Sequence, residues 1–199
     1  DLRWKTSCGA GHSSIITIGS LIITLEQRGG SECLTARRMS DGNEVWEVSE
    51  RTRWNDMMSG EGPRSTPTFA NGKIYTLFSN GMLACIDPTN GKRIWQTKII
   101  EKNYDFPEWG ISSSPLIWKN MVIVNPGGEQ HAVKSNSAQS GKLIWESSLS
   151  GRGVYLSPTI IKLLGEDQLI TAVTGKIVSL NPRTGNTRWE KPWKIFLNN

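Results

Sequence analysis

Short apolar runs alternate with polar turns along the whole chain. Between Trp46 and Trp95, four such runs occupy residues 65–69, 73–78, 82–87 and 92–98. The turns between them contain Asn71-Gly72, Ser79-Asn80-Gly81 and Pro88 to Gly91. Asn-Gly is favoured in hairpin turns because both residues adopt positive φ at low cost. The pattern predicts a four-stranded antiparallel meander.

The same plan recurs in three other intervals. No interval offers an uninterrupted run with apolar residues three and four apart, so helical repeats are excluded and the fold class is all-β. The predicted strands of these intervals are 13–18, 21–26, 32–37 and 44–48; then 115–118, 121–125, 132–136 and 142–147; then 159–162, 168–173, 177–181 and 187–190.

A glycine precedes a tryptophan by four residues in every interval. The pairs are Gly42 and Trp46, Gly91 and Trp95, Gly141 and Trp145, and Gly185 and Trp189, while Trp4 resembles the end of one more copy. The tryptophans are 42, 49, 50 and 44 residues apart. Four-stranded units of about 40 to 50 residues have the size of β-propeller blades.

Each glycine is predicted to end a tight turn that requires positive φ. The tryptophan then lies on the outermost strand, and its ring, which buries about 200 Å², packs on the neighbouring blade. We assign both residues a structural docking role. The predicted blades of this single domain, which spans residues 1–199, are 10–50, 62–100, 111–149 and 154–193, with 1–9 as the end of a preceding blade.

Composition excludes several classes of function. The net charge is +5, but Lys and Arg are scattered rather than clustered, so nucleic acid is not an expected partner. No apolar run approaches the roughly twenty residues of a membrane helix, so no membrane span is expected. Cys8, Cys33 and Cys85 are odd in number and lack metal-ligand spacing. His12 and His131 lack a partner at a spacing recognised for nucleophilic catalysis.

The repeat resembles the tryptophan-docking motif of the pyrroloquinoline-quinone (PQQ) dehydrogenase-like propellers, Ala-x-Asp-x-x-Thr-Gly-x-x-x-Trp. The glycine and the tryptophan occur four times, and the other motif positions hold small or turn-forming residues. These positions are Ala36, Cys85, Ser135 and Ser179 for Ala; Arg38, Asp87, Ser137 and Asn181 for Asp; and Asp41, Asn90, Ser140 and Thr184 for Thr. The resemblance implies four blades of a larger ring with seven or eight.

For function, the resemblance leaves three alternatives. The family includes quinoprotein dehydrogenases and non-catalytic assembly lipoproteins of the BamB type. This chain lacks the vicinal Cys-Cys pair of quinoprotein alcohol dehydrogenases and a recognisable calcium cluster. We therefore favour a non-catalytic binding or protein-assembly platform with no cofactor and no metal. The alternatives are a segment of a PQQ- and calcium-dependent dehydrogenase of alcohols or sugars, and a sensor domain of a larger signalling protein. A periplasmic or extracellular location is implied by the resemblance alone.

Three loops that precede the innermost strands are the candidate binding region, because such loops gather at one mouth of a propeller channel. The predicted rim residues are Arg64, Glu108, Trp109, Arg152 and Tyr155. They suit a protein, a peptide or a small polar ligand. The structural alternative is an interblade ion pair between Arg64 and Glu108, with Trp109 covering the hydrophobic stack. Trp54, Met57 and Met58 are expected to form a packed linker.

Overall fold

The computed structural model describes residues 1–100, 104, 110–152 and 155–193. Within them, the first antiparallel sheet runs in chain order from the innermost to the outermost strand. Its strands are β1 (Ile16–Ile18), β2 (Leu21–Arg28), β3 (Ser31–Arg38) and β4 (Glu44–Glu50). A small hairpin follows, formed by β5 (Asn55–Asp56) and β6 (Gly60–Glu61).

Three further four-stranded sheets repeat this order. The second contains β7 (Thr68–Ala70), β8 (Lys73–Leu77), β9 (Met82–Ile86) and β10 (Arg93–Lys98). The third contains β11 (Leu116–Trp118), β12 (Met121–Val124), β14 (Lys134–Ser137) and β15 (Leu143–Glu146), with the short pair β13 (Gly127–Gly128) and β16 (Gly151–Arg152) beside it. The fourth contains β17 (Thr159–Leu163), β18 (Glu166–Val173), β19 (Lys176–Leu180) and β20 (Thr187–Pro192).

The predicted fold class is confirmed: the described residues form no helix, and their main sheets are four-stranded antiparallel meanders. The predicted strands agree with the observed ones to within two or three residues at most ends. None of the described residues belongs to a helix with the length and apolarity needed to cross a bilayer.

The hydrophobic core is divided into three clusters, each filling the space between two consecutive sheets. In the first cluster, Ile23 and Leu34 of the first sheet pack with Ile74 and Phe78 of the second, and all four side chains are fully buried. A strand pair with both faces covered buries consecutive residues, which explains the unbroken buried run Leu83 to Ile86 in β9.

The docking tryptophans cross from each sheet to the next. The ring of Trp46 lies on Gly91, that of Trp95 on Gly141, that of Trp145 on Gly185, and that of Trp4 on Gly42. The four glycines have φ between +72° and +75°. A Cβ at Gly141 would stand 2.7 Å from Cε3 of Trp95, closer than packed carbon atoms approach. The glycine therefore supplies both the turn and the space for the ring.

Each indole N–H also donates to a backbone carbonyl three residues before the glycine that its ring covers. The acceptors are Met39 for Trp4 (2.8 Å), Pro88 for Trp46 (3.0 Å), Ala138 for Trp95 (3.0 Å) and Pro182 for Trp145 (3.2 Å). Trp189 instead donates to Gln168 Oε1 of its own sheet at 3.0 Å. The hydrogen bond satisfies the one polar group of a largely buried ring and fixes its direction.

A β-bulge in each outermost strand aims the tryptophan. In β10, Arg93 pairs with Ile86 and Trp95 with Cys85, so Ile94 is the extra residue. The equivalent extra residues are Val45, Ile144 and Arg188. Opposite each tryptophan stands the small motif residue, such as Cys85 opposite Trp95, and Cys85 is fully buried.

A ladder of hydrogen bonds to hydroxyl groups joins the residues that lie two positions before each innermost strand. The backbone N–H of Ser14 donates to Thr66 Oγ1 (3.0 Å), that of Thr66 to Ser114 Oγ (3.0 Å), and that of Ser114 to Ser157 Oγ (2.9 Å). The accepting residues stand directly before Pro67, Pro115 and Pro158. The hydroxyl group of the recurring Ser/Thr-Pro pair thus links neighbouring sheets near their innermost strands, and the docking tryptophan links them at their outermost strands.

Candidate functional site

Because each main sheet has four antiparallel strands in chain order, its first strand begins and its last strand ends at the same end of the sheet. We call this end the loop face; it holds residues 28–31, 51–65, 78–82, 125–133, 148–152 and 173–176 of the described chain. The opposite end, the turn face, holds the tight turns at 18–21, 38–44, 70–73, 87–93, 118–121, 137–143, 163–166 and 180–187. Of the predicted rim residues, Arg64 and Arg152 lie on the loop face, and Tyr155 belongs to the segment between β16 and β17.

The most prominent feature of the loop face is a hairpin that joins the first sheet to the second. We call residues 54–64 the hairpin arm. It is closed by pairing of Asn55 with Glu61 and by a hydrogen bond from Gly62 N to Trp54 O (2.9 Å). At its tip, Met57 is fully exposed and Met58 is 81% exposed. The expectation of a packed linker was therefore wrong for both methionines.

The Asp56 carboxylate holds the tip in one conformation. It accepts hydrogen bonds from the backbone N–H groups of Met58 (3.0 Å) and Ser59 (2.7 Å), and also from the Ser59 hydroxyl. These bonds, those from Ser59 above all, lower the pKa of Asp56 to about 2. The carboxylate is therefore ionised at neutral pH and acts as a permanent acceptor for the turn.

Arg64 closes the arm from the other side. Its Nη2 lies 2.5 Å from Asp56 Oδ2, and its Nη1 donates to Gly62 O at 3.0 Å. The two charged side chains are only 9% and 13% exposed. A pair this well covered is screened less by solvent than a surface pair. Arg64, predicted as a rim residue, is thus engaged within its own hairpin.

Both the base and the tip of the arm make contacts with their surroundings. The Trp54 ring covers Gly110, where an added Cβ would lie 2.7 Å from the indole Cε2. Gln27 Oε1 accepts from Trp54 N at 3.1 Å, and His12 Nε2 donates to Ser59 O at 2.7 Å. The arm therefore presents its two methionines on a rigid support.

The other predicted rim residues have different positions. Arg152 belongs to β16, its carbonyl accepts from Thr174 N and Oγ1 at 3.2 Å each, and it lines a cavity of about 370 Å³ with Gly128, Glu129, Gly151 and Thr174. Tyr155 follows in the same connection and is exposed. Glu108 and Trp109 lie outside the described residues.

A buried carboxyl group lies under the loop face. Glu32 accepts from Ser79 N at 2.9 Å through Oε2, and its Oε1 has no hydrogen-bond partner among the described residues. Burial raises the pKa of Glu32, and the neighbouring Glu50 adds to the increase, against the lowering effect of the bonds to Ser79. This carboxyl is fully covered, so it is not accessible from the surface of the loop face.

Two features were sought among the described residues: adjacent cysteines and a cluster of metal-ligating side chains. Cys33 and Cys85 are buried in different sheets and Cys8 is exposed, so no two cysteines are adjacent. The described residues contain no group of three or more His, Cys, Asp or Glu side chains placed to hold a metal ion.

Two proteins similar in sequence to this chain are described as the same assembly factor. The chain is 22% identical over 176 residues to the outer membrane protein assembly factor BamB of Bordetella pertussis, covering 72% of this chain and 45% of the relative. It is 24% identical over 208 residues to BamB of Yersinia pestis, covering 96% and 48%. The chain therefore spans about half the length of these relatives.

Solved structures show the same fold. BamB of Moraxella catarrhalis superimposes with a TM-score of 0.72 at 15% identity, over 95% of this chain and 54% of that one. The quinohemoprotein alcohol dehydrogenase of Comamonas testosteroni gives 0.70 at 15% identity, over 94% and 35%. At such low identity these matches report the propeller fold alone.

A family model described as outer membrane protein assembly factor BamB matches residues 1–108 and 40–194. Its two overlapping matches cover almost the whole chain, in keeping with a tandem repeat. The resemblance to PQQ-like propeller repeats is thereby confirmed, and the chain belongs to the BamB family of these repeats.

Proposed function

We propose that this chain is a non-catalytic protein-binding platform in the cell envelope and that the hairpin arm contacts its partner. The observation that carries the proposal is the exposure of Met57 and Met58 at the tip of a rigid hairpin. Methionine is unbranched and polarizable, so it adapts to differently shaped protein surfaces. The rigid support lowers the conformational entropy that binding would cost.

The class of partner is proposed from the relatives of this chain. They are outer membrane protein assembly factors, so the proposed partner is a protein of outer-membrane assembly and the proposed location is the periplasm. The quinone-dependent alternative has no supporting observation among the described residues, which offer no vicinal cysteines and no metal cluster.

A binding experiment with matched variants tests the proposal. Purified outer-membrane assembly proteins from the source organism are assayed for binding to the chain and to the double variant Met57→Ser/Met58→Ser. We expect the double variant to bind at least tenfold more weakly. Met39→Ser is the control, because Met39 is 43% exposed but lies on the turn face.

Two results would contradict the proposal. The first is that no assembly protein binds, or that the control variant loses as much affinity as the double variant. The second is dye-linked oxidation of an alcohol or sugar by the chain supplied with PQQ and calcium, since that would establish catalysis.

A further inference from the structure

A second cavity lies on the turn face, at the opposite end of the sheets from the hairpin arm. Its volume is about 350 Å³, and it opens between the third and fourth sheets. The residues that line it are Trp118, Lys162, Gly165, Glu166, Asp167, Asn181, Pro182, Arg183 and Arg188. Aromatic, cationic, carboxylate and amide groups thus converge on one space, as polar and apolar groups do in ligand sites.

Trp118 makes this junction different from the others. It is the last residue of β11, and the same position holds Ile18 in β1 and Ala70 in β7. Its indole N–H donates to Asp167 Oδ2 at 3.2 Å, which ties the ring to the fourth sheet. This indole is not one of the docking tryptophans, since it stands on an innermost strand and covers no motif glycine.

Cations gather around this indole. Lys119 Nζ lies 4.6 Å from a Trp118 ring centroid and Arg183 Cζ lies 5.8 Å from it, both within the range of cation–π attraction. The Asn181 side chain accepts from Arg183 N at 2.9 Å, which fixes the turn that carries the guanidinium.

The cavity lining carries three cations, Lys162, Arg183 and Arg188, against two carboxylates, Glu166 and Asp167. Glu166 is paired with Arg188, and Asp167 accepts the Trp118 bond. In the part of the chain that the structure describes, Lys162 and Arg183 form no salt bridge. The cavity therefore has an excess of positive charge beside an aromatic ring.

We propose that this cavity binds a small organic anion. A carboxylate or phosphate group is held between Lys162 and Arg183, because a guanidinium donates two parallel hydrogen bonds to either group. The organic part of the ligand packs against the Trp118 ring, which offers an apolar surface without a large entropic cost. This site is independent of partner binding at the hairpin arm.

The test follows the indole N–H resonance of Trp118 by NMR during titration. The probes are glucose 6-phosphate, gluconate, glucose and inorganic phosphate. We expect glucose 6-phosphate, gluconate or both to bind, glucose not to bind, and affinity to fall as sodium chloride is raised, since added salt screens the attraction. The stronger of the two acids identifies the anionic group.

Variants show which side chains hold the anion. Lys162→Gln/Arg183→Gln should weaken binding of the stronger acid at least tenfold. Lys92→Gln is the control, because Lys92 is an exposed cation on the turn face outside the cavity; it should leave affinity unchanged. The proposal is overturned if glucose binds as well as the acids, if neither acid shifts the resonance, if inorganic phosphate binds as tightly as glucose 6-phosphate, or if Lys92→Gln weakens binding equally.

Discussion

Each docking glycine serves two physical needs, a left-handed backbone and the absence of a side chain under an indole. A comparison of Gly91 with Gly72 distinguishes the two needs, because both residues have a φ of +73° but their surroundings differ. A Cβ at Gly91 would lie 3.0 Å from Cδ2 and Cε3 of Trp46, whereas a Cβ at Gly72 would meet nothing within 4 Å. The pair therefore measures the value of the ring contact alone.

We predict that Gly72→Ala lowers the free energy of unfolding by about 1 kcal/mol, the cost of a left-handed non-glycine residue. Gly91→Ala should lower it by about 2–4 kcal/mol, since overpacking against Trp46 is added. Urea denaturation of both variants measures the difference. Equal losses would show that the indole yields freely and that the glycine serves the turn only.

At the residue scale, the sequence predicts which tryptophans pack between sheets, but it does not predict which carbonyl oxygen accepts the hydrogen bond of each indole N–H. The four-residue spacing identifies the docking glycines and tryptophans, but each tryptophan contacts the glycine of the next repeat, as Trp46 contacts Gly91. The carbonyl that receives each indole N–H, such as Pro88 O for Trp46, belongs to the next sheet. Such acceptors depend on how two sheets are placed relative to each other, which no local spacing encodes.

At the scale of the elements, each outermost strand contains a β-bulge directly before its docking tryptophan. The bulge sets the face of the strand on which the tryptophan lies. Side chains alternate between the two faces of a strand, so one extra residue reverses the face on which the following side chains lie. Ile94 is the extra residue in β10, and it is 47% exposed. Its backbone matters for the position of Trp95, and its side chain contributes little burial.

Two changes at Ile94 are therefore expected to differ widely in their effect on stability. Ile94→Thr keeps the bulge and should change the free energy of unfolding by less than about 0.5 kcal/mol. Deleting Ile94 should turn Trp95 away from Gly141 and cost about 3–5 kcal/mol, comparable to truncating a buried tryptophan. Calorimetry gives the stabilities, and the Trp95 indole N–H resonance shows whether its bond to Ala138 persists. A well-folded deletion variant that retains this bond would contradict the role of the bulge.

The sequence predicts long strands well and short pairs poorly. Strands with alternating or continuous apolar residues and Asn-Gly turns carry a periodic signal. Strands β5, β6, β13 and β16 have two residues each, too few for any period. The same limit explains the wrong expectation for Met57 and Met58: their apolar character suggested packing, whereas the Asp56 turn exposes them.

On the scale of the whole molecule, the described part of each sheet packs against the sheets next to it in sequence. Every joint has an inner hydroxyl bond, a hydrophobic cluster and an outer tryptophan. Stability in such arrays is close to a sum of nearest-neighbour terms. Local damage should therefore stay local, and opening should begin at the weakened joint.

Hydrogen exchange of Trp145→Ala tests this additivity. Trp145 is 8% exposed and joins the third sheet to the fourth, so its loss should cost about 3–5 kcal/mol at that joint. Amides of Val178 and Leu180 in the fourth sheet should lose protection, while those of Leu25 and Leu34 in the first should keep it. Trp46→Ala, at the joint between the first and second sheets, is the mirror control and should reverse the pattern. Equal acceleration in all four sheets of both variants would mean that the sheets unfold as one unit, and the nearest-neighbour description would then be wrong.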